Sequence, residues 1–145
     1  MHIRAPSLFL SCLILGSCGS ASSVEVMRAA SPDGALVARV FEGNGGATTS
    51  FSYDVVVGPA TEPQTKVGSF FGAVRSACAY GVNIRWAGDN ALIISYDDAK
   101  SANVVPTAKI ADRRIRIVAK AGVSDPTAPC GGMEYSQQGK VVVVR

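Results

Sequence analysis

The sequence predicts an all-β domain, mostly antiparallel, arranged as a curled meander or a small β-sandwich of about seven or eight strands. Several segments alternate apolar and polar residues with the period of two that the surface of a strand requires. Clusters rich in Gly, Pro and Asn separate these segments, as turns do. No longer window carries the apolar stripe and the capping residues of a helix.

The first predicted strands begin soon after the N-terminal segment. In the clearest of them Tyr53 and Val55 face one way and Asp54 faces the other, because neighbours on a strand alternate. Residues 31–34, Ser-Pro-Asp-Gly, have Pro and Gly where a tight turn needs them. The predicted segments in this half are 24–29, 35–42, 51–57 and 67–74.

The second half of the chain predicts two strand pairs and a final strand. Ala-Gly-Asp-Asn at 87–90 is the turn of the first pair, and Ala-Asp-Arg-Arg at 111–114 is the turn of the second. Pro106 restricts its segment to a sheet edge or a bulge, because proline has no N–H to donate. The predicted segments are 82–86, 91–97, 103–110, 115–121 and 140–145.

The N-terminal residues predict a secretory signal peptide. Arg4 precedes an apolar run over residues 7–15, which is too short for a permanent span of about 20 residues. Leu15-Gly16-Ser17-Cys18 resembles the bacterial lipobox. This resemblance implies that Cys18 becomes the first mature residue and carries lipid. The alternative is an ordinary secreted protein in which Cys18 is a stray cysteine.

These observations predict the domain organisation and the location. We expect a lipoprotein signal peptide at 1–17, a lipidated cysteine and tether at 18–23, and a single β domain at 24–145. Several acyl chains hold a protein stably on a lipid bilayer. Gly19 stands where an Asp commonly implies retention at the inner membrane, so we expect the outer membrane of the cell envelope, facing the periplasm.

The charge balance argues against a nucleic-acid partner. The formal net charge is +3, or about +2 once Arg4 is removed with the signal peptide. The tightest basic cluster is Arg113, Arg114 and Arg116, at a predicted turn. We interpret it as solvated charge, and the alternative is contact with anionic lipid head groups.

Two cysteines remain after processing, Cys78 and Cys130, and the envelope is an oxidising compartment. We therefore expect a structural disulfide between them. The alternative is a reactive or metal-binding thiol pair. Neither cysteine belongs to a Cys-x-x-Cys unit, and the mature chain has no histidine.

The stretch EGNGGATTSFSYD, residues 42–54, is interpreted as a hairpin. A phosphate-binding loop would need a Lys after its glycines and a following helix, and here a strand follows. Asn44-Gly45 favours a tight turn, since both residues tolerate positive φ. The polarity of this loop exceeds what a turn requires, and its candidate binding residues are Asn44, Thr48, Thr49 and Ser50.

Catalytic chemistry finds little support. A Ser-His-Asp triad or a zinc centre lacks its imidazole, because the only histidine, His2, lies in the signal peptide. Asp97 and Asp98 are adjacent and are expected to be solvated turn residues, with a calcium site as the alternative. Trp86 is expected in the core rather than as a sugar platform. We expect no enzymatic activity, no cofactor and no metal.

Residues 31–117 resemble a family of small uncharacterised bacterial proteins, many of them lipoproteins. The pattern comprises Ser-Pro-Asp-Gly at 31–34, Gly-Ala-Thr-Thr-x-Phe-Ser at 46–52, Ile-Arg-Trp at 84–86 and Leu-Ile-Ile-Ser-Tyr at 92–96. Some relatives carry a Cys just before Gly-Ala-Thr-Thr, where this chain has Gly45, so the resemblance implies no disulfide assignment. It implies a fold and a bacterial envelope location, and no reaction.

Two functions remain open from the sequence. The first is a membrane-anchored periplasmic domain that binds an envelope component, such as a protein partner, without catalysis. The second is an inhibitor or immunity lipoprotein that blocks a cell-wall hydrolase or a toxin by inserting one loop. An enzyme that uses two carboxylates is a third alternative.

Overall fold

The structure is a computed structural model that describes residues 23–61, 63–131 and 141–144. The predicted signal peptide and the lipidated Cys18 lie outside the described residues. The described residues contain ten strands: β1 (Ser23–Ala30), β2 (Val37–Gly43), β3 (Ser52–Gly58), β4 (Thr65–Phe71), β5 (Asn83–Trp86), β6 (Ala91–Ser95), β7 (Ser101–Val104), β8 (Thr107–Ile110), β9 (Arg113–Lys120) and β10 (Val142–Val144).

The strands form two sheets, which confirms the all-β prediction and agrees with a small β-sandwich. The six-stranded sheet has the order β10-β1-β2-β3-β4-β7, and the four-stranded sheet has the order β5-β6-β9-β8. Strands β1 to β4 form a meander of antiparallel neighbours. Two pairs are parallel, β1 with β10 and β6 with β9, so both sheets are mixed.

The described strands exceed the predicted seven or eight, and Pro106 accounts for one of the additional strands. The predicted strand over 103–110 is two strands, since β7 ends before Pro106 at the edge of the six-stranded sheet and β8 begins after it at the edge of the four-stranded sheet. On one side Val105 N–H donates to Val67 C=O at 3.0 Å; on the other Ile117 N–H donates to Pro106 C=O at 2.9 Å. Proline therefore lies where the chain crosses between sheets, and its missing N–H interrupts neither ladder.

The core lies between the two sheets and takes alternate residues from each strand. The predicted inward residues Tyr53, Val55 and Val57 are fully buried in β3. The same alternation buries residues of both sheets in one cluster: Val26, Ala38, Val40, Val67, Phe70, Ile84, Leu92, Ile94, Ile115 and Ile117. Most of the described strands thus have one face in the core and one outer face.

The predicted Ser-Pro-Asp-Gly turn closes one end of the sandwich. Gly34 N–H donates to Ser31 C=O at 2.8 Å, and Asp33 forms an ion pair with Arg113. The hydrogen bond from Arg113, followed by those from Ser31 and the Ala35 N–H, holds the pKa of Asp33 well below its ordinary value. The predicted solvated cluster at a turn is wrong for Arg113. This residue begins β9, and its side chain pairs with Asp33 in the turn that follows β1.

The predicted disulfide between Cys78 and Cys130 is confirmed. It joins the loop after β4 to the segment after β9. Backbone hydrogen bonds accompany it, because Gly131 N–H donates to Cys78 C=O at 2.7 Å and Tyr80 N–H donates to Gly131 C=O at 2.9 Å. The bond therefore ties together two loops at one end of the sandwich.

Replacing both cysteines, Cys78→Ser with Cys130→Ser, is expected to lower the free energy of unfolding by about 4 kcal/mol, because the bond closes a long loop in the unfolded chain. The two cysteines are 52 residues apart. Urea unfolding followed by circular dichroism measures the change. The wild-type protein in reducing agent should match the double variant, and an unchanged midpoint would contradict the expectation.

The hairpin turn between β8 and β9 holds one residue in an unfavourable conformation. Ala111 has a φ of 51°, in the left-handed region that residues with a Cβ adopt at a cost. Ala111→Gly is expected to raise the free energy of unfolding by about 1 kcal/mol. Ala108→Gly, within β8, serves as the control and is expected to lower it. Thermal unfolding measures both, and a fall in both variants would refute the proposed strain.

Candidate binding rim

The candidate loop connects β2 to β3 and spans residues 44–51. The prediction that Asn44-Gly45 forms the tight turn is wrong. The turn lies at 46–49, where Thr49 N–H donates to Gly46 C=O at 3.2 Å and Gly46 has a φ of 100°. Asn44 supports it from outside, since its side-chain Oδ1 accepts from Gly46 N–H at 2.9 Å. The loop is therefore longer than a two-residue hairpin turn, and Asn44, Thr48 and Thr49 are exposed on it.

Aromatic side chains flank this loop on the neighbouring elements. Phe51, at the end of the loop, contacts Tyr80 with 5.3 Å between ring centroids. Phe71, at the end of β4, lies opposite Ser52 in the sheet. Phe71 and Tyr80 are 40% and 39% exposed, and they are the only exposed aromatic side chains of the described residues.

Lys100 joins the loop to Phe71. Its Nζ donates to the Ser50 hydroxyl at 2.5 Å and lies 5.7 Å from the centroid of the Phe71 ring. The stem of Lys100 runs over Gly72, where an added Cβ would lie 2.9 Å from its Cγ and Cδ. Gly72 also has a φ of 61°, so no other residue fits there without strain. We call residues 44–51 with Phe71, Tyr80 and Lys100 the rim.

A buried polar cluster lies directly beneath the rim. Tyr53 donates its hydroxyl proton to Glu42 Oε2 at 2.9 Å, and the two residues are cross-strand partners in β2 and β3. Arg75 is buried near them, and its Nε donates to Tyr80 C=O at 3.1 Å. Arg75 Nη2 is buried without a hydrogen-bond partner among the described residues, so the network is only partly satisfied. The bonds that are made attach the base of the loop and the backbone of Tyr80 to the core.

The segment after β9 packs onto the same end. Asp125 N–H donates to Arg75 C=O at 2.7 Å, and Asn83 Nδ2 donates to Asp125 Oδ2 at 2.9 Å. The hydrogen bond from Thr127, aided by that from Asn83, holds the pKa of Asp125 below its ordinary value. With the disulfide, these bonds hold the loop that carries Tyr80 from a second side.

The other candidate residues, Asp97, Asp98 and Trp86, are not part of the rim. Asp97 N–H and Asp98 C=O pair with the backbone of Val74, and the two carboxylates belong to half-buried and exposed residues respectively. Among residues 23–61, 63–131 and 141–144 no three Asp, Glu, His or Cys side chains group as metal ligands. Trp86 packs against the core as expected, and its Nε1–H donates to Ala29 C=O at 2.9 Å.

Sequence reasoning missed Phe71, Tyr80, Lys100 and Arg75. A signal existed for Phe71, because neighbours on a strand face opposite ways and one residue of Phe70-Phe71 must therefore point outward. Nothing local marks Tyr80 or Lys100, since they reach the loop from distant parts of the chain. The rim therefore could not be identified from sequence alone, because folding brings its residues together.

Comparison with family models, with curated proteins and with solved structures finds no match for this chain. The resemblance to small bacterial lipoproteins accordingly stays a prediction. Within the part of the chain that the structure describes, there is no helix with the length and apolar character needed to cross a bilayer.

The Tyr53–Glu42 hydrogen bond leads us to expect that the protein loses stability at alkaline pH. Burial, followed by the charge and hydrogen bond of Glu42, raises the pKa of Tyr53 well above its ordinary value. An unfolded tyrosine ionises near pH 10, so the stabilisation from this residue is complete below about pH 10 and is lost as the pH rises further.

Tyr53→Phe is expected to lower the free energy of unfolding at neutral pH by about 1–3 kcal/mol, because the buried Glu42 loses a donor. It is also expected to flatten the decline of stability above about pH 10. Unfolding curves measured across this range test both effects. Tyr96→Phe controls for the removal of a buried phenol, and an equally steep decline in Tyr53→Phe would contradict the assignment.

Proposed function

We propose that the protein is a lipid-anchored binding module of the bacterial envelope that holds a partner protein at its rim, without catalysis. One observation carries the proposal: the two exposed aromatic side chains of the described residues, Phe71 and Tyr80, both flank the polar loop at 44–51. Aromatic residues are enriched at the centres of protein interfaces, where they contribute most of the binding energy.

The loop supplies the polar component of such an interface. Asn44, Thr48 and Thr49 are exposed, and Ser50 is half-buried beneath Lys100. Amide and hydroxyl groups beside exposed rings provide hydrogen bonds around an apolar centre. The proposed contact residues therefore include the four polar residues of the loop that the sequence singled out.

The support beneath the rim favours binding as well. Tyr53, Glu42 and Arg75 fix the base of the loop, and the disulfide at Cys78 fixes the segment that carries Tyr80. A surface held in one conformation loses less entropy when a partner binds.

The resemblance of residues 15–18 to a lipobox supports the proposed location. Ser23, the first residue of β1, pairs with Gly43 at the base of the loop. The proposed tether from Cys18 to Ser23 reaches about 15–18 Å when extended. An acylated Cys18 therefore places the rim within one short tether of the bilayer, where a partner on the same membrane meets it.

The proposal of a non-enzymatic role is supported by the arrangement of carboxylates at this end. Glu42 accepts from Tyr53, and Asp125 accepts from Asn83 and Thr127. These acids are engaged in structural hydrogen bonds. Hydrolysis by two carboxylates would instead need a pair facing a shared cleft.

An inhibitor or immunity lipoprotein is the second candidate. The exposure of the loop favours it, because every residue from 44 to 49 is exposed. Such a loop fits an enzyme cleft, whereas a broad interface would use the aromatic residues together with it. Lysozyme and amidase assays with added protein distinguish the two, because only an inhibitor lowers the rates.

Capture of a partner from detergent-solubilised envelope extract tests the main proposal. The acylated wild-type protein is expected to retain a reproducible protein partner, and Phe71→Ser with Tyr80→Ser is expected to lose it, since truncation of hot-spot aromatics costs about 2 kcal/mol or more each. Mass spectrometry of the retained proteins provides the measurement.

Val24→Ser with Val105→Ser is the matched control. These valines are 41% and 43% exposed and lie outside the rim, so their replacement removes a similar apolar exposure. The control is expected to retain the partner. Absence of any partner from a normally folded wild-type protein, or equal loss in both double variants, would refute the proposed role of the rim.

A further inference from the structure

The outer face of the four-stranded sheet is unusually basic. Alternation places one set of side chains of β5, β6, β8 and β9 in the core and the other set on this face. The outward set contains five exposed cationic residues: Arg85, Lys109, Arg114, Arg116 and Lys120. None of the four strands contains an acidic residue. We call this surface the basic face.

The cations of the basic face have no partners within the described part of the chain. No ion pair or side-chain hydrogen bond involves any of the five. The nearest acids in sequence are Asp89, Asp112 and Asp125; the first two lie in turns, and Asp125 accepts hydrogen bonds from Asn83 and Thr127. The described residues therefore do not pair with the positive charges of this face.

The outer face of the six-stranded sheet is organised differently. Arg28 and Arg39 lie 2.7 and 3.8 Å from Glu25, and Lys66 lies 2.7 Å from Asp54. That face interleaves both signs of charge, as ordinary solvated surfaces do. The contrast within one molecule shows that the near-neutral balance of the sequence conceals a strong asymmetry.

The basic face contains a local electrostatic conflict. Lys109 and Arg114 are direct cross-strand partners on its surface. Like charges directly opposite one another destabilise a sheet. Arg116 follows Arg114 at the next outward position of β9, so three cations are neighbours. An anionic partner would relieve this repulsion.

We propose that the basic face docks onto an anionic phospholipid surface. A sheet of four short strands presents a patch about 15 Å across the strands. Half-buried Ile93 and Val118 lie in the row that contains Arg85, which gives the patch an apolar centre within a basic surround. A basic surface with an apolar centre matches the head-group layer of a bilayer.

The choice of a membrane over a nucleic acid rests on the lipid anchor of the proposed function. The proposed tether reaches about 15–18 Å from Ser23, which exceeds the spacing of about 10 Å between packed sheets. An acylated Cys18 would therefore let the four-stranded sheet lie against the same bilayer that holds the lipid. A nucleic acid has no comparable support and becomes an outcome of the test.

The test uses the full chain with Cys18→Ser, which removes the acyl chains and leaves the domain intact. Co-sedimentation is measured with vesicles of phosphatidylcholine alone and of equal parts phosphatidylcholine and phosphatidylglycerol. The ratio of the two partition coefficients measures the preference for anionic lipid, and the contribution of the N-terminal segment with Arg4 is the same in every variant. We expect this ratio to exceed about 30-fold for the parent protein and to fall with added salt.

The matched variants are Arg114→Gln with Arg116→Gln on the basic face, and Arg28→Gln with Lys66→Gln on the other face. Both pairs lower the net charge equally. The first is expected to lower partition onto anionic vesicles by about 30-fold, since each basic residue near the surface contributes about fivefold. Equal losses in both pairs, or no loss in the first, would overturn the proposal.

Two further outcomes sharpen the test. Lys109→Glu replaces a repulsive cross-strand pair with an attractive one, so it is expected to raise the unfolding midpoint while it weakens vesicle binding. Tighter binding to duplex DNA than to anionic vesicles at the same ionic strength would overturn the membrane assignment. The Cys18→Ser protein carries no lipid and has an unaltered rim. Vesicle partition and the unfolding midpoint therefore do not depend on whether Cys18 is acylated or whether the rim binds a partner protein.

Discussion

The alternation of side chains along each strand is the constraint on which the rest of the structure depends. It sends Tyr53, Val55 and Val57 into the core from one sheet and Ile115 and Ile117 from the other. The remaining side chains must then lie on one of two outer faces. Because the strands of the four-stranded sheet contain no acids, their outer face becomes basic as a direct consequence of burying the apolar residues. Packing thus creates the charge asymmetry.

The existence of most strands could be predicted from the sequence because the period of two is a local property. The inward residues of β3 and the Ser-Pro-Asp-Gly turn at 31–34 were predictable in this way. The partners of the strands were not, since the parallel pairs β1–β10 and β6–β9 join segments that are distant in the chain. Pro106 indicated an interruption, but the crossing from one sheet to the other depends on which edges lie nearby in space.

The candidate site was predictable only in part. The polar composition of the loop identified Asn44, Thr48, Thr49 and Ser50, because excess polarity is visible in the sequence. The turn was placed wrongly, since Asn44 acts as a side-chain acceptor and Gly46 takes the positive φ. The aromatic part of the rim depends on long-range packing, and the basic face was obscured because a net charge averages over both sheets.

The rim and the basic face involve different residues, so the proposed protein partner and the proposed membrane contact do not compete for one surface. The most direct measurement is paramagnetic relaxation of backbone amides in the acylated protein, caused by a spin label on the head groups of anionic bicelles. The account predicts the strongest broadening in β8 and β9, at residues such as Lys109 and Arg116. Strongest broadening in β3 and β4, or uniform broadening of both sheets, would contradict it.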